Sequence, residues 1–475
     1  MDSAHWTVLI TLIAYKLALI AIGIWANKKT KHADDFFLGG RQLGPWVAAI
    51  SASASSSSAW TLMGVSGAAY AWGLSAIWLL PACIGGFALN WFIIAPRLQK
   101  FSSDHQTLTL TETLFFGTER QIQRKLLLSA SAIVLFSLVF YVASQFQGSG
   151  KTFVSTFGFP LTGSVVVGGL IVLLYTVIGG FWAVSVTDTL QGLLMAATAI
   201  LIPGALIIQL GWPHTWIDPL SHIEGYSDLL RYGWSSAGVG FVVGLLGIGL
   251  GYPGQPHVVN RFMAVGHEAD LKKARRIAMS WAFILYPGML ITGWGGRMLF
   301  HLGDSETVFI EVANTLFHPV IAGILIAAVL SAIMSTADSQ LLVAASALTT
   351  DLEPLREEKK PIDVLWRSRM VVVLLCVVAI LLALTGSKRI FDKVLFAWSA
   401  MGAAFGPLLM VRLWKGTIKG SYMLAAMWVG FISSVVAYNL LSGSWKAHYG
   451  GVLERCMPIV LALGIAWLGA RAARK

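Results

Sequence analysis

Four small residues near position 335 stand at a spacing that could hold a cation. Ala332, Ser335, Thr336 and Ser339 follow one another at i, i+3, i+4 and i+7, which places them on one face of a helix. Hydroxyl and carbonyl oxygens are what a hard cation takes as ligands, and they need no fixed carboxylate among them. Such side chains also serve close helix packing or bond backbone carbonyls, so spacing alone leaves both uses open. Two clusters elsewhere could supply carbonyls: Ala54, Ser55, Ser56, Ser57 and Ser58, and the run Gly249, Leu250, Gly251, Tyr252, Pro253, Gly254. Each interrupts an apolar stretch. A helix broken there leaves N–H and C=O groups that lipid cannot satisfy, so the break must line a polar site enclosed by protein. Unpaired N–H groups around Ser55 to Ser58 make a partial positive charge suited to a solute carboxylate. Gln145 lies one turn beyond Tyr141 and shares its face. Two acids, Asp188 and Asp338, stand in apolar surroundings, where charge is costly and usually functional.

The elements that position these residues are membrane helices. Hydrophobic residues make up 56% of the 475 and charged ones 12%, with mean hydropathy +0.72, whereas soluble chains carry about 25% charge. Thirteen apolar stretches cover 6–26, 44–66, 71–95, 124–146, 161–180, 189–211, 236–255, 277–301, 316–346, 367–385, 391–412, 421–441 and 453–471, most reaching the roughly 20 residues that a spanning helix needs. The fold class expected is an all-α integral membrane protein of about 13 transmembrane helices. The two interruptions fall in the second and seventh stretches, and paired broken helices are the sequence mark of a secondary transporter. If each opens a five-helix unit, the odd helix number gives the units opposite topology, the LeuT-type 5+5 inverted repeat with one leading and two trailing helices. The single transporter domain 1–475 then divides into a leading helix and first inner loop (1–43), a first repeat with its outer loop (44–235), a second repeat (236–412) and trailing helices (413–475). The outer loop 211–232 is expected to form a short interfacial helix, and the inner loop 351–369 a solvated linker.

The net charge of +11 is mostly a topology signal. With the N-terminus outside, loops and tail facing the cytoplasm carry 25 Lys and Arg, against 8 outside and Lys16 within the first stretch. The positive-inside rule therefore orients the chain N-out, C-in, as a multi-pass protein of the plasma (inner) membrane. Membrane lipid is the partner that this charge implies; basic residues form no patch interleaved with aromatics, which argues against nucleic acid. The first stretch is too long to be a cleaved signal peptide. Lys16 reads as a side chain that snorkels or faces a neighbouring helix, and His257 as a helix cap rather than a proton carrier. Cys83, Cys376 and Cys456 are scattered and odd in number, so neither a disulfide framework nor a metal site is expected. With no nucleotide-binding, metalloprotease or nucleophile-elbow motif in view, neither covalent chemistry nor an organic cofactor is expected.

Several longer motifs resemble the sodium:solute symporter family. They are the run from Asp34 through Asp35, Phe36, Phe37, Leu38, Gly39 and Gly40 to Arg41; Gly179, Gly180, Phe181 and Trp182 leading to Thr187, Asp188 and Thr189; Gly249 to His257 with Arg261, Phe262 and Met263; and Ala332 to Thr336 followed by Gln340, Leu341 and Leu342. The resemblance runs from about residue 30 to 415 and is nearest to bacterial sodium/proline symporters. It implies alternating access and an amino-acid-sized solute coupled to sodium. It also implies a sodium site made of the carbonyls of Ala54, Ser57 and Ala332 with the hydroxyls of Ser335 and Thr336. Tyr141 and Tyr252 match aromatic positions of the family's solute pocket, with Ser55, Ser56, Ser58 and Gln145 adding polarity. Proline symporters of the family have Asp where this chain has Ser56 and Trp where it has Ile248, so the ion route loses a charge and the pocket changes shape. Some family members bind a second sodium near the position of Asp188. Asp188, Asp338, Ser335 and Ser339 are the candidates for such a second cation site; alternatively, Asp188 caps a helix or pairs with an inner-loop arginine.

The expected function is a symporter, working as a monomer, that imports a small solute, an amino acid such as proline or a related carboxylated compound, with Na+ as coupling ion. Two alternatives differ in class or ion: a proton-coupled solute permease, and a transporter-like nutrient sensor, which the few residues after the last stretch disfavour.

Overall fold

The computed structural model describes residues 3–27, 41–178, 181–349, 361–385, 389–441 and 443–474. Helix α1 (Ser3–Asn27) leads. The second apolar stretch opens with α2 (Pro45–Ser56), whose proline sits in the first turn, where its missing N–H breaks no bond. It stops at Ser57 (φ −114°, ψ 90°), in a serine run whose hydroxyls compete with the helix for backbone partners. The chain resumes as a π-helical turn, Trp60–Val65, and continues as α3 (Ser66–Trp72). Next come α4 (Leu79–Ala88), the π-helical turn Leu89–Ile94, α5 (Ala95–His105) and α6 (Leu110–Phe115). Long helices α7 (Arg120–Phe157), α8 (Leu161–Ile178) and α9 (Phe181–Leu210) complete the first half, with short α10 (Ile217–Ser221) after them.

The second half repeats the interruption. Helix α11 (Ser236–Leu250) ends at a 3-10 turn, Tyr252–Gly254, and α12 (Pro256–Met263) resumes with Pro256 at its start. Then follow α13 (Glu268–Leu299), α14 (Val308–Leu316), α15 (Pro319–Thr349), α16 (Pro361–Thr385), α17 (Ile390–Lys415), α18 (Gly420–Leu440), α19 (Gly443–Gly451) and α20 (Met457–Ala472). Among the described residues ten helices are long and apolar enough to cross a membrane, and Leu161–Leu174 and Ser236–Leu250 are shorter apolar ones. Every expected stretch falls on helix and both expected breaks are breaks, so the chain is an integral multi-pass membrane protein. Helices α15 and α17 are the most enclosed, while α1 and α20 keep much of their surface outward.

Each broken helix packs closely on a late helix of its own half. A Cβ on Gly192 of α9 would meet Ile50 Cγ2 at 2.5 Å and Ala54 Cβ at 3.1 Å. A Cβ on Gly254 would meet Gly402 Cα of α17 at 2.6 Å. Only glycine permits these approaches.

Several expectations change. The segment after the third stretch, expected as loop, is helical as α5 and α6. The loop 211–232 does hold a short helix, α10, preceded by a 3-10 turn, Pro213–Trp216, and Trp216 is buried beside Gly295. The motif residues 34–40, Gly179, Gly180 and loop residues 351–360 lie outside the described residues.

Candidate ion and solute site

The hydroxyl face of α15 meets the first break. The Ser335 hydroxyl donates to the carbonyls of Ala54 and Ala332, each at 3.3 Å, and the Thr336 hydroxyl donates to the Ser55 carbonyl at 3.2 Å. Ala54, Ser57, Ala332, Ser335 and Thr336 are all fully buried. Among the described residues the hydroxyls of Ser53, Ser55 and Ser57 have no partner. A hydroxyl rotates freely about its C–O bond, so those that now donate to carbonyls can turn lone pairs toward a cation. Three oxygens already converge at Ser335.

The second group of candidates gathers around a residue that lies between two apolar stretches. Arg261 of α12 is 2% exposed. Its Nη2 donates to Asp188 Oδ2 at 2.7 Å and to the Ser339 hydroxyl at 2.6 Å, its Nε to Ser51 at 2.6 Å, and its Nη1 to the His257 carbonyl. Ser51 also donates to Asp188 Oδ2 at 3.0 Å. Asp188 lies inside α9 and caps no helix end, but it does have an arginine partner. Asp338 Oδ1 accepts the Ser339 N–H at 2.6 Å and the Ser339 hydroxyl at 3.3 Å. Among the described residues Asp188 Oδ1 and Asp338 Oδ2 have no hydrogen-bond partner. The structure thus brings Asp188, Asp338, Ser335 and Ser339 into one region, with a guanidinium already holding one of the two carboxylates.

On the other side of the break lies an aromatic chamber. The Tyr141 hydroxyl donates to Ser58 at 3.3 Å, and its ring lies 6.2 Å from His257 and 6.5 Å from Trp398. Trp398 of α17 packs edge-on to Tyr252 at 4.7 Å and donates its indole N–H to the Ile248 carbonyl at 3.1 Å. Tyr252 bonds Tyr286 at 3.1 Å. The amides after the break are less free than expected: Ala59 N–H donates to Gln145 Oε1 at 3.0 Å and Trp60 N–H to Ser58 Oγ at 3.1 Å. Ser56 turns back onto its own helix, donating to the Ser53 carbonyl at 2.9 Å. His257 is buried in this chamber rather than capping α12, and among the described residues neither ring nitrogen has a partner.

Clefts approach from both ends. One, of about 20 Å³, is lined by Thr109, Phe181, His257, Asn260, Arg261 and Ser339 among others. The other, of about 270 Å³, is lined by Gly67, Trp72, Arg231, Glu306 and Phe391 among others. Beneath it Phe391 packs between Trp60 at 5.5 Å and Trp72 at 5.0 Å. Glu306 accepts the amide hydrogens of Ile390 (3.1 Å) and Phe391 (2.8 Å) at the start of α17 and pairs with Lys151 of α7. Lys151 also reaches Asp304 at 2.7 Å.

The residues missed from the sequence are Arg261, Trp398 and Ser51. Arg261 had one available signal: it lies five residues beyond Pro256, too near the break to be outside the protein.

Known proteins share this chain's sequence pattern and its fold. The sodium:solute symporter family matches residues 36–430. An osmoregulated proline transporter of Bacillus subtilis is 39% identical over 467 residues, covering 96% of this chain and 93% of that protein. A sodium/proline symporter of Escherichia coli is 37% identical over 446 residues, covering 90% and 87%. Among solved structures, an outward-open, substrate-bound Na+-coupled sialic acid symporter superposes with a TM-score of 0.79 at 19% identity over 98% of both chains, which shows a shared fold. Mhp1, a nucleobase-cation-symport-1 transporter, gives 0.55 at 14% identity over 94% of this chain and 95% of its own. By the match of its sequence to the family and to these relatives, this chain belongs to the sodium:solute symporter family.

Proposed function

We propose that the protein uses the inward sodium gradient to import proline or a small carboxylated relative by alternating access. The observation that carries this reading is the meeting of the Ser335 and Thr336 hydroxyls with the carbonyls of Ala54, Ser55 and Ala332 at an interrupted helix. Sodium, the cargo, takes those oxygens with Ser57. The relatives named above transport proline, which supports the solute class.

The solute carboxylate displaces Gln145 Oε1 and Ser58 Oγ from the Ala59 and Trp60 amides, exchanging neutral acceptors for a charged one at a helix start. The ring of the solute lies against Tyr141, Tyr252, Trp398 and Ile248, with Ser55 and Ser56 at the break. Asp188, Asp338, Ser335 and Ser339 form a second cation region, tuned by Arg261. The repeats run 44–235 and 236–412, and their matching contacts, the first break on α9 and the second on α17, support this division. The excess of basic residues in alternate loops supports N-out, C-in. Each net positive charge then gains about 2.3 kcal/mol per 100 mV, or nearly fifty-fold accumulation.

Reconstituted protein given radiolabelled proline and a panel of small carboxylated solutes, with sodium and proton gradients imposed separately, tests the reading. Uptake that follows the sodium gradient supports it. Uptake that follows only the proton gradient, or none in a folded protein, replaces it with the permease or the sensor.

A further inference from the structure

Helix α15 has a second polar stripe. Ser331, Met334 and Asp338 recur at i, i+3 and i+7, on the side turned from Ala332 and Thr336. Helix α1 packs on this stripe: the Tyr15 hydroxyl bonds Ser331 at 2.6 Å, and the Lys16 ammonium donates to the Met334 thioether at 2.6 Å. A thioether is a weak acceptor for an ammonium within the membrane, where charge is costly. The lysine stem lies along a largely apolar groove with Leu12, Leu17, Ile20, Phe153 and Val167. One turn on, Asp338 is fully buried, and among the described residues its Oδ2 has no donor and the carboxylate no ion pair. Asp188, the neighbouring acid, already has Arg261. Met334 and Asp338 are four residues apart, about 6 Å along the helix axis, a distance that a flexible four-carbon stem covers. The ammonium stands within Coulombic reach of that carboxylate.

We infer that Lys16 is a tethered cation of the ion site: its ammonium pairs with Asp338 when no ion is bound there and withdraws to Met334 when sodium arrives. The inference rests on the reading of Asp338 as an ion ligand. The lysine thereby competes with sodium, and it makes the seat of α1 on α15 depend on ion occupancy. Because one positive charge leaves Asp338 as another enters, the carboxylate has a cation beside it with and without the ion. Lys16 is a positioning residue, and its effect must run through Asp338.

The test uses the full chain in detergent, reading the sodium concentration that gives half of the sodium-dependent rise in melting temperature, and in proteoliposomes, reading the sodium half-saturation of uptake. Lys16→Met keeps the stem and removes the charge. It should lower both sodium concentrations on the order of tenfold, the factor that about 1.4 kcal/mol of competing ion pairing gives. Asp338→Asn should raise both, and Lys16→Met added to Asp338→Asn should change nothing further. A sodium-responsive protein in which Lys16→Met has no effect, or has the same effect with and without the Asp338 carboxylate, overturns the inference while leaving the sodium reading in place. A parent chain that ignores sodium in both assays removes both. If Lys16→Met fails to accumulate, Lys16→Gln carries the same expectation.

Discussion

Arg261 and Asp188 come from opposite halves of the chain and meet at 2.7 Å between Nη2 and Oδ2, both side chains out of contact with solvent. The same guanidinium bonds Ser51 and Ser339, so one side chain joins α12, α9, α2 and α15. Removing one partner of a buried pair leaves the other charge uncompensated, at a cost of about 3–5 kcal/mol. Arg261→Gln should therefore lower the melting temperature of the purified protein sharply. Arg261→Gln combined with Asp188→Asn should recover much of the loss, since no charge is then stranded. Equal destabilisation by the single and double variants would mean that packing, not charge, holds the four helices.

Ser335→Ala with Thr336→Ala removes two hydroxyls and retains a residue with the best helix propensity. Membrane insertion and melting temperature should stay close to those of the parent. Sodium half-saturation for uptake should rise on the order of tenfold or more, since a bond to a charged group contributes about 1.5–3 kcal/mol. A parent-like sodium dependence would remove the cation from this face of α15.

Trp398→Phe keeps a ring beside Tyr252 and Tyr141 but strips the donor from the Ile248 carbonyl. The carbonyl keeps the Gly251 N–H at 3.2 Å, so the lost bond costs about 0.5–1.5 kcal/mol. The solute half-saturation should rise more than the sodium one, because the indole borders the chamber and not the hydroxyl face. A change in sodium half-saturation alone would place Trp398 with the ion.

Gly254→Ala would drive a methyl group to 2.6 Å from Gly402 Cα. Transport should collapse, with protein still present in the membrane. Gly85→Ala is the control, since its Cβ meets nothing within 4 Å. Comparable transport by the two variants would show that the approach of the second break to α17 is dispensable.

What the sequence made legible followed from local periodicity. Ser335 and Thr336 share a face with Ala332 because the helical repeat puts them there, and the serine and glycine runs break helices wherever they stand. The hidden part was set by long-range pairing. Arg261 looked like a loop charge because hydropathy counts it with its basic neighbours, while its burial depends on Asp188, 73 residues away. Trp398 sits in an apolar stretch, where tryptophan reads as packing until the Ile248 carbonyl is placed beneath its N–H. Lys16 read as a side chain that snorkels or faces a neighbouring helix, and it does face one, but nothing near it in sequence announces Met334. His257 followed a proline and suggested a cap, yet its ring lies between Tyr141 and Trp398. Local patterns located the breaks. Only the fold showed what faces them.

Glu306 takes amide hydrogens from Ile390 and Phe391 at the first turn of α17 while holding Lys151 of α7, and the adjoining backbone at Ser305 lies so near Gly67 of α3 that a Cβ there would stand 2.9 Å from its carbonyl oxygen. These bonds converge on a single carboxylate, so moving it disturbs all of them. Withdrawal of the segment around Ser305 would therefore disturb its contacts with α3, α7 and α17 together, which ties the cleft above Phe391 to the seat of three helices.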